Sequence, residues 1–133
     1  LPGNAITRTV VNDEGQQAVA IANIVRELLA GAVPAEDIAV LLAKRPKARL
    51  YGLLQVQRLP AGASWSVEVP GQRRAVFVDT VGRFKGLEAQ VVILWVGDEL
   101  IDEEQWEYLY VGATRAKSLL YLVGSARAVA AFA

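Results

Sequence analysis

Four runs constrain this chain more than any other feature: Ile38 to Leu42, Ala75 to Asp79, Val91 to Val96 and Leu119 to Val123 are apolar almost without interruption. A strand with one wet face alternates apolar and polar residues, whereas an unbroken apolar run suits a strand covered on both faces. Between these runs lie segments with helical signals. Asp13 stands three residues before Gln16, an arrangement in which a side chain at a helix start accepts a free backbone N–H. Ala18, Ala22, Val25 and Leu29 then recur at helical spacing, with Val19, Ile21 and Leu28 widening the stripe and Gly31 placed to end it. Pro46 suits the first turn of a second helix with Leu50, Leu53 and Leu54 on its apolar face.

The remaining elements complete an alternation of strand and helix. A short β-rich segment covers Ile6 to Val11. A turn-rich stretch from Leu59 to Pro70 holds a short strand at Ser64 to Val69. A helix is expected from about Asp102 to Ala113, and Ser125 can cap a short helix running to Ala133. Buried strands joined by helices imply a three-layer α/β domain with a mostly parallel sheet and helices on both faces. At 133 residues, with no internal repeat or low-complexity linker, the chain reads as one domain over 1–133.

Composition narrows the chemistry. The 53% apolar content is ample for a core and argues against disorder. No apolar run reaches the roughly 18 residues needed to span a bilayer, and no signal segment opens the chain, so a soluble, cytoplasmic protein without membrane contact is expected. There is no Cys and no His, which removes disulfides, thiol catalysis and the commonest zinc ligands; no metal site is expected. Lys plus Arg balances Asp plus Glu at 14 each, which argues against a uniformly basic nucleic-acid binder but leaves room for a local basic edge.

In open parallel sheets, ligands gather beyond the strand carboxyl ends, so the loops beside the strands carry the functional search. Two stand out. Thr80-Val81-Gly82-Arg83-Phe84-Lys85-Gly86-Leu87-Glu88 follows one buried strand, and Gly112-Ala113-Thr114-Arg115-Ala116-Lys117 precedes the last. Both combine a hydroxyl, a cation and small residues, which lets an anion approach closely. Taken alone, they can equally be a turn at Gly86 and a cation complementing a helix C-terminus at Arg115.

The stretch TVGRFKGLEAQVVIL (80–94) resembles motif V of UvrD/Rep-type superfamily 1 DNA helicases, and LYVGATRAKSLLYLVG (109–124) resembles their motif VI. IAVLLAKRPKARL (38–50) is similar, more weakly, to motif IV. The three occur in the family's order and together cover most of the chain. The resemblance implies the second RecA-like domain of such a helicase. Arg115 would then be the catalytic arginine that reaches the γ-phosphate of ATP across a domain cleft, with Thr114 bracing it. Glu88 would contact the nucleotide sugar and Gly86 would permit close backbone approach. Thr80, Arg83 and Lys85 would face single-stranded DNA, and Phe84, if exposed between two cations, would offer a base-stacking surface, although it can equally pack under its own loop. ATP and its Mg²⁺ would be held mainly by an N-terminal RecA-like domain, and translocation would by default run 3′ to 5′.

Departures from the pattern matter too. Gly82 stands where the family's motif V carries His, and Leu42 and Ala43 stand where motif IV carries an aromatic–arginine pair; Lys44 or Arg45 could substitute in a shifted register, and Arg49 matches the later arginine. No G-x-x-x-x-G-K-[ST] loop occurs, so the chain by itself is not expected to hydrolyse ATP. Only about 25 residues separate Arg49 from Ala75, which leaves no room for the large subdomain that UvrD-type proteins insert there. A non-enzymatic reading, a degenerate RecA-like module docking protein or DNA, draws on Gly82 and Ala43. A Rossmann-type nucleotide enzyme fits poorly, because no glycine-rich turn follows the first strand.

Overall fold

The computed structural model describes residues 6–43, 46–60, 62–84, 87–97 and 115–131. They form a six-stranded, all-parallel sheet. The strands are β1 (Ile6–Val10), β2 (Ile38–Ala43), β3 (Ser64–Ser66), β4 (Ala75–Thr80), β5 (Ala89–Val96) and β6 (Ala116–Gly124). Their order across the sheet is β1-β6-β5-β2-β4-β3. The helices are α1 (Glu14–Ala30), α2 (Lys47–Gln55) and α3 (Ala126–Ala131). The expected helix over 102–113 lies outside the described residues.

The continuous apolar runs have the anticipated cause. Every residue of β2 is buried, and successive side chains go to opposite faces. Ile38, Val40 and Leu42 join Ile21, Val25, Leu50 and Leu54 beneath α1 and α2. Ala39, Leu41 and Ala43 join Phe77, Leu94, Leu120 and Ala128 on the other side, where α3 packs. Helices therefore cover both faces, and β5 at the sheet's centre is flanked by β2 and β6.

Polar groups clamp these layers. Trp95 on β5 is fully buried and donates its indole N–H to Gln17 Oε1 at 2.7 Å; the amide nitrogen of Gln17 in turn donates to the Val11 carbonyl at 2.7 Å. One buried amide on α1 thus ties the middle of the sheet to the end of β1. At the sheet's carboxyl edge, a Cβ on Gly124 would lie 2.8 Å from the Val96 carbonyl, so only glycine lets β6 finish this close to β5.

Asp13 caps α1 through Gln16 and Gly31 ends it, both as expected. The next residue, Ala32, is left-handed at φ 67°, and Val33 N–H closes back on the Leu28 carbonyl. Two expectations shift in detail. Pro46 is the residue before α2 rather than its first turn. The strand expected over 64–69 stops at Ser66, because the Ser66 hydroxyl accepts from Glu68 N–H at 3.2 Å and donates to Gln72 Oε1 at 3.0 Å. This local side-chain bonding bends the chain away from the ladder.

The connection from β4 to β5 contains a short 3₁₀ turn, Gly82–Phe84. It passes over the second face and plants Phe84 there, 1% exposed, with its ring 5.8 Å from that of Phe77 and tilted by 32°. Truncating Phe84 to Ala should cost about 3–5 kcal/mol in equilibrium urea unfolding, as for other large-to-small core changes; a solvent-facing Phe would change stability by no more than about 0.5 kcal/mol. Ala32→Gly should raise stability by about 0.5–1 kcal/mol, since relief of the left-handed strain outweighs the added freedom of the unfolded chain. The same unfolding curves measure it.

Candidate functional site

Because every strand is parallel, all loops after strands lie at one edge and all loops before strands at the other. The sequence-derived site residues divide between these edges. Thr80 and Arg83 follow β4 at the carboxyl edge, whereas Glu88 and Arg115 immediately precede β5 and β6 at the amino edge. Carboxyl-end placement, assumed in searching the loops, holds for only half of the set. The segment 81–88 is the link between the two edges, and Lys85 and Gly86 within it lie outside the described residues.

At the carboxyl edge the centre is Asp79, which sequence reading passed over as a strand residue. Its side chain is 1% exposed. Oδ1 lies 2.6 Å from Lys47 Nζ and accepts from Thr80 N–H at 2.7 Å; Oδ2 lies 3.0 Å from Arg83 Nε. The Thr80 hydroxyl accepts from Arg83 N–H at 3.3 Å. One carboxylate therefore draws together a cation from the start of α2, a cation from the 3₁₀ turn and the backbone of the strand tip. The available signal was an Asp ending the otherwise apolar run from Ala75, with an arginine four residues on.

The motif IV region contributes differently from expectation. Leu42 and Ala43 are buried sheet residues and present nothing to a ligand. Arg49 makes a two-pronged ion pair with Glu14 at the start of α1, at 2.7 and 3.0 Å. Lys44 and Arg45 lie outside the described residues. Phe84 requires correction: packed against Phe77 under its own loop, it has no exposed ring face to stack on a base.

At the amino edge, the Ala89 N–H donates to the Arg115 carbonyl at 3.0 Å, and Ala89 pairs with Ala116. Glu88 and Arg115 are thus neighbours at the entry to adjacent strands. Ser118 reinforces the pairing by donating to Gln90 Oε1 at 2.7 Å. The Arg115 Nε is buried and finds no hydrogen-bond partner among the described residues. A guanidinium N–H left this way is costly unless an acceptor arrives. At the same edge, Glu88 and Leu87 line a shallow cavity of about 220 Å³, with Ile38, Phe77 and Phe84 forming its apolar wall and Glu36 a second acidic group; Arg115 is not part of its lining. Among the described residues no cluster of acidic side chains could hold a metal ion, and no helix is long and apolar enough to cross a membrane. Thr114 lies outside the described residues.

Residues 75–123, which run from β4 through β6 and include both loop segments, match the model of the UvrD-like helicase C-terminal domain. No curated protein matches the chain. Among solved structures, the chain is similar to the C-terminal domain of a possible DNA helicase from Lactobacillus plantarum WCFS1. The identity is 20% and the TM-score 0.67, with 97% of this chain and 82% of that one covered. From β4 to β6 the chain thus resembles the UvrD-like helicase C-terminal domain, and along nearly its whole length it shares the fold of that solved structure.

Proposed function

We propose that this chain is the second motor domain of an ATP-dependent, UvrD-like DNA helicase, with Arg115 as its catalytic arginine. The observation that carries this reading is the Arg115 Nε, buried at the amino edge without a partner among the described residues. A permanently charged, planar donor placed in this way suits the extra negative charge of a phosphoryl group in transfer. The hydrogen bond from Ala89 to the Arg115 backbone holds it beside Glu88, whose carboxylate suits the hydroxyls of a nucleotide sugar.

ATP and Mg²⁺ would be held by an N-terminal RecA-like domain, which would supply the metal ligands and the phosphate loop that this sequence does not contain. On this chain, Glu88 would orient the sugar and Arg115 would approach the γ-phosphate from the opposite side of the cleft. Thr80 and Arg83 would face single-stranded DNA at the other edge, with the 81–88 connection joining the two events mechanically. Lys85 and Gly86 belong to that connection and would contribute a DNA-facing cation and a close backbone approach.

The test pairs the chain with its N-terminal RecA-like domain in one protein. DNA-stimulated ATP turnover should appear, and Arg115→Ala should lower it by on the order of 10³ while nucleotide binding persists. Unchanged turnover in that variant would remove Arg115 from the chemistry. A complete absence of turnover in the two-domain protein would instead favour a docking module.

A further inference from the structure

Asp79 is the one buried acidic side chain among the described residues. Burying a carboxylate costs several kcal/mol before its partners compensate, and an apolar residue in such a place is often the more stable choice. Here compensation comes from both sides of the strand tip. Lys47 reaches in from α2, whose Leu50 and Leu54 pack on one face; Arg83 reaches in from the connection that packs on the other. The two cations are not consumed by this contact. Arg83 uses only Nε and its side chain is 68% exposed; Lys47 is 34% exposed and carries three N–H donors. Two positive charges around one negative leave a net positive tip, next to the Thr80 hydroxyl.

We propose that Asp79 is a positioning residue that presents Lys47 and Arg83, beside the Thr80 hydroxyl, as a preformed cradle for a backbone phosphate of single-stranded DNA. Lys47 is thereby a further DNA contact on α2. The inference rests on the helicase reading only in its choice of DNA as the polyanion. The geometry itself is that of two long side chains whose rotamer freedom is already spent before the phosphate arrives. Preorganisation of this kind strengthens binding by lowering the ordering cost rather than by adding contacts. Its sign is distinctive: Asp79 is an acidic group that should favour binding to an anion.

The experiment uses the 133-residue chain, without nucleotide, titrated with a fluorescent oligothymidylate over a series of salt concentrations. Lys47→Gln and Arg83→Gln should each weaken binding and lower the log–log salt slope by about 0.7, the value for one phosphate contact on a single strand. Arg8→Gln, on the exposed edge strand β1, removes an equal charge and should leave the slope intact. Asp79→Asn keeps the shape and the acceptor for Thr80 N–H but frees both cations. It should weaken binding by roughly threefold or more, as ordering costs return, although the chain becomes more positive. Asp79→Asn should weaken binding less in an Arg83→Gln background than in the wild type, because only Lys47 is then left to position.

Tighter or unchanged binding by Asp79→Asn would overturn the positioning role, since a charge acting only by repulsion gives that result. Should Asp79→Asn fail to fold, the single Lys47→Gln and Arg83→Gln variants decide, because each leaves Asp79 one compensating cation. An unchanged slope there overturns the cradle, as does a wild-type chain that does not bind the oligonucleotide. None of these failures bears on Arg115, whose test is ATP turnover at the opposite edge.

Discussion

The paired strands β2 and β5 at the middle of the sheet impose the constraint from which the rest follows. All of β2 and the stretch of β5 from Val91 to Val96 run through the core with side chains buried on the two faces, so neither presents a polar group to solvent there. All chemistry is pushed to the strand ends. Parallel pairing then requires each connection to travel the full height of the sheet, from carboxyl edge to amino edge. Most domains use a helix for that journey. Between β4 and β5 this chain uses a short 3₁₀ turn and a loop, anchored by Phe84 against Phe77.

That economy has a functional consequence. Phe84 pins the described start of the connection in a close-packed layer. Thr80 and Arg83 stand at its start, and Glu88 at its end is one residue from the backbone bond to Arg115. Coupling between distant sites needs a contiguous element of this kind that two ligands can bias.

Much of this was legible from residue order alone. The unbroken apolar runs announced strands covered on both faces, and Asp13 and Ser125 announced helix starts that the structure places at those residues. Arg115 and Glu88 were legible as candidates in the sequence, and they stand at the entries to adjacent paired strands. What escaped were properties set by distant partners. Phe84 between two charged residues looked exposed, but the partner that buries it, Phe77, lies on a strand whose facing direction is decided by the whole sheet. Asp79 looked like the polar end of a strand, because Lys47, its strongest partner, is more than thirty residues away in sequence. Gly31 ends α1 as its position implied, but the left-handed turn at Ala32, where the bond from Val33 to Leu28 closes, had no sequence signal.

Sequence by itself determined the element types, the class of fold and the residues able to meet a nucleotide or a phosphate, because hydrophobic period, capping and side-chain chemistry are local properties. Tertiary structure alone decided the strand order β1-β6-β5-β2-β4-β3 and, through it, which edge each loop occupies. It placed the candidate DNA residues and the candidate nucleotide residues at opposite ends of one sheet and gathered Lys47, Thr80 and Arg83 around a single buried carboxylate. Those outcomes depend on pairings between segments far apart in the chain, where the free energy of burial, not local preference, selects the neighbour.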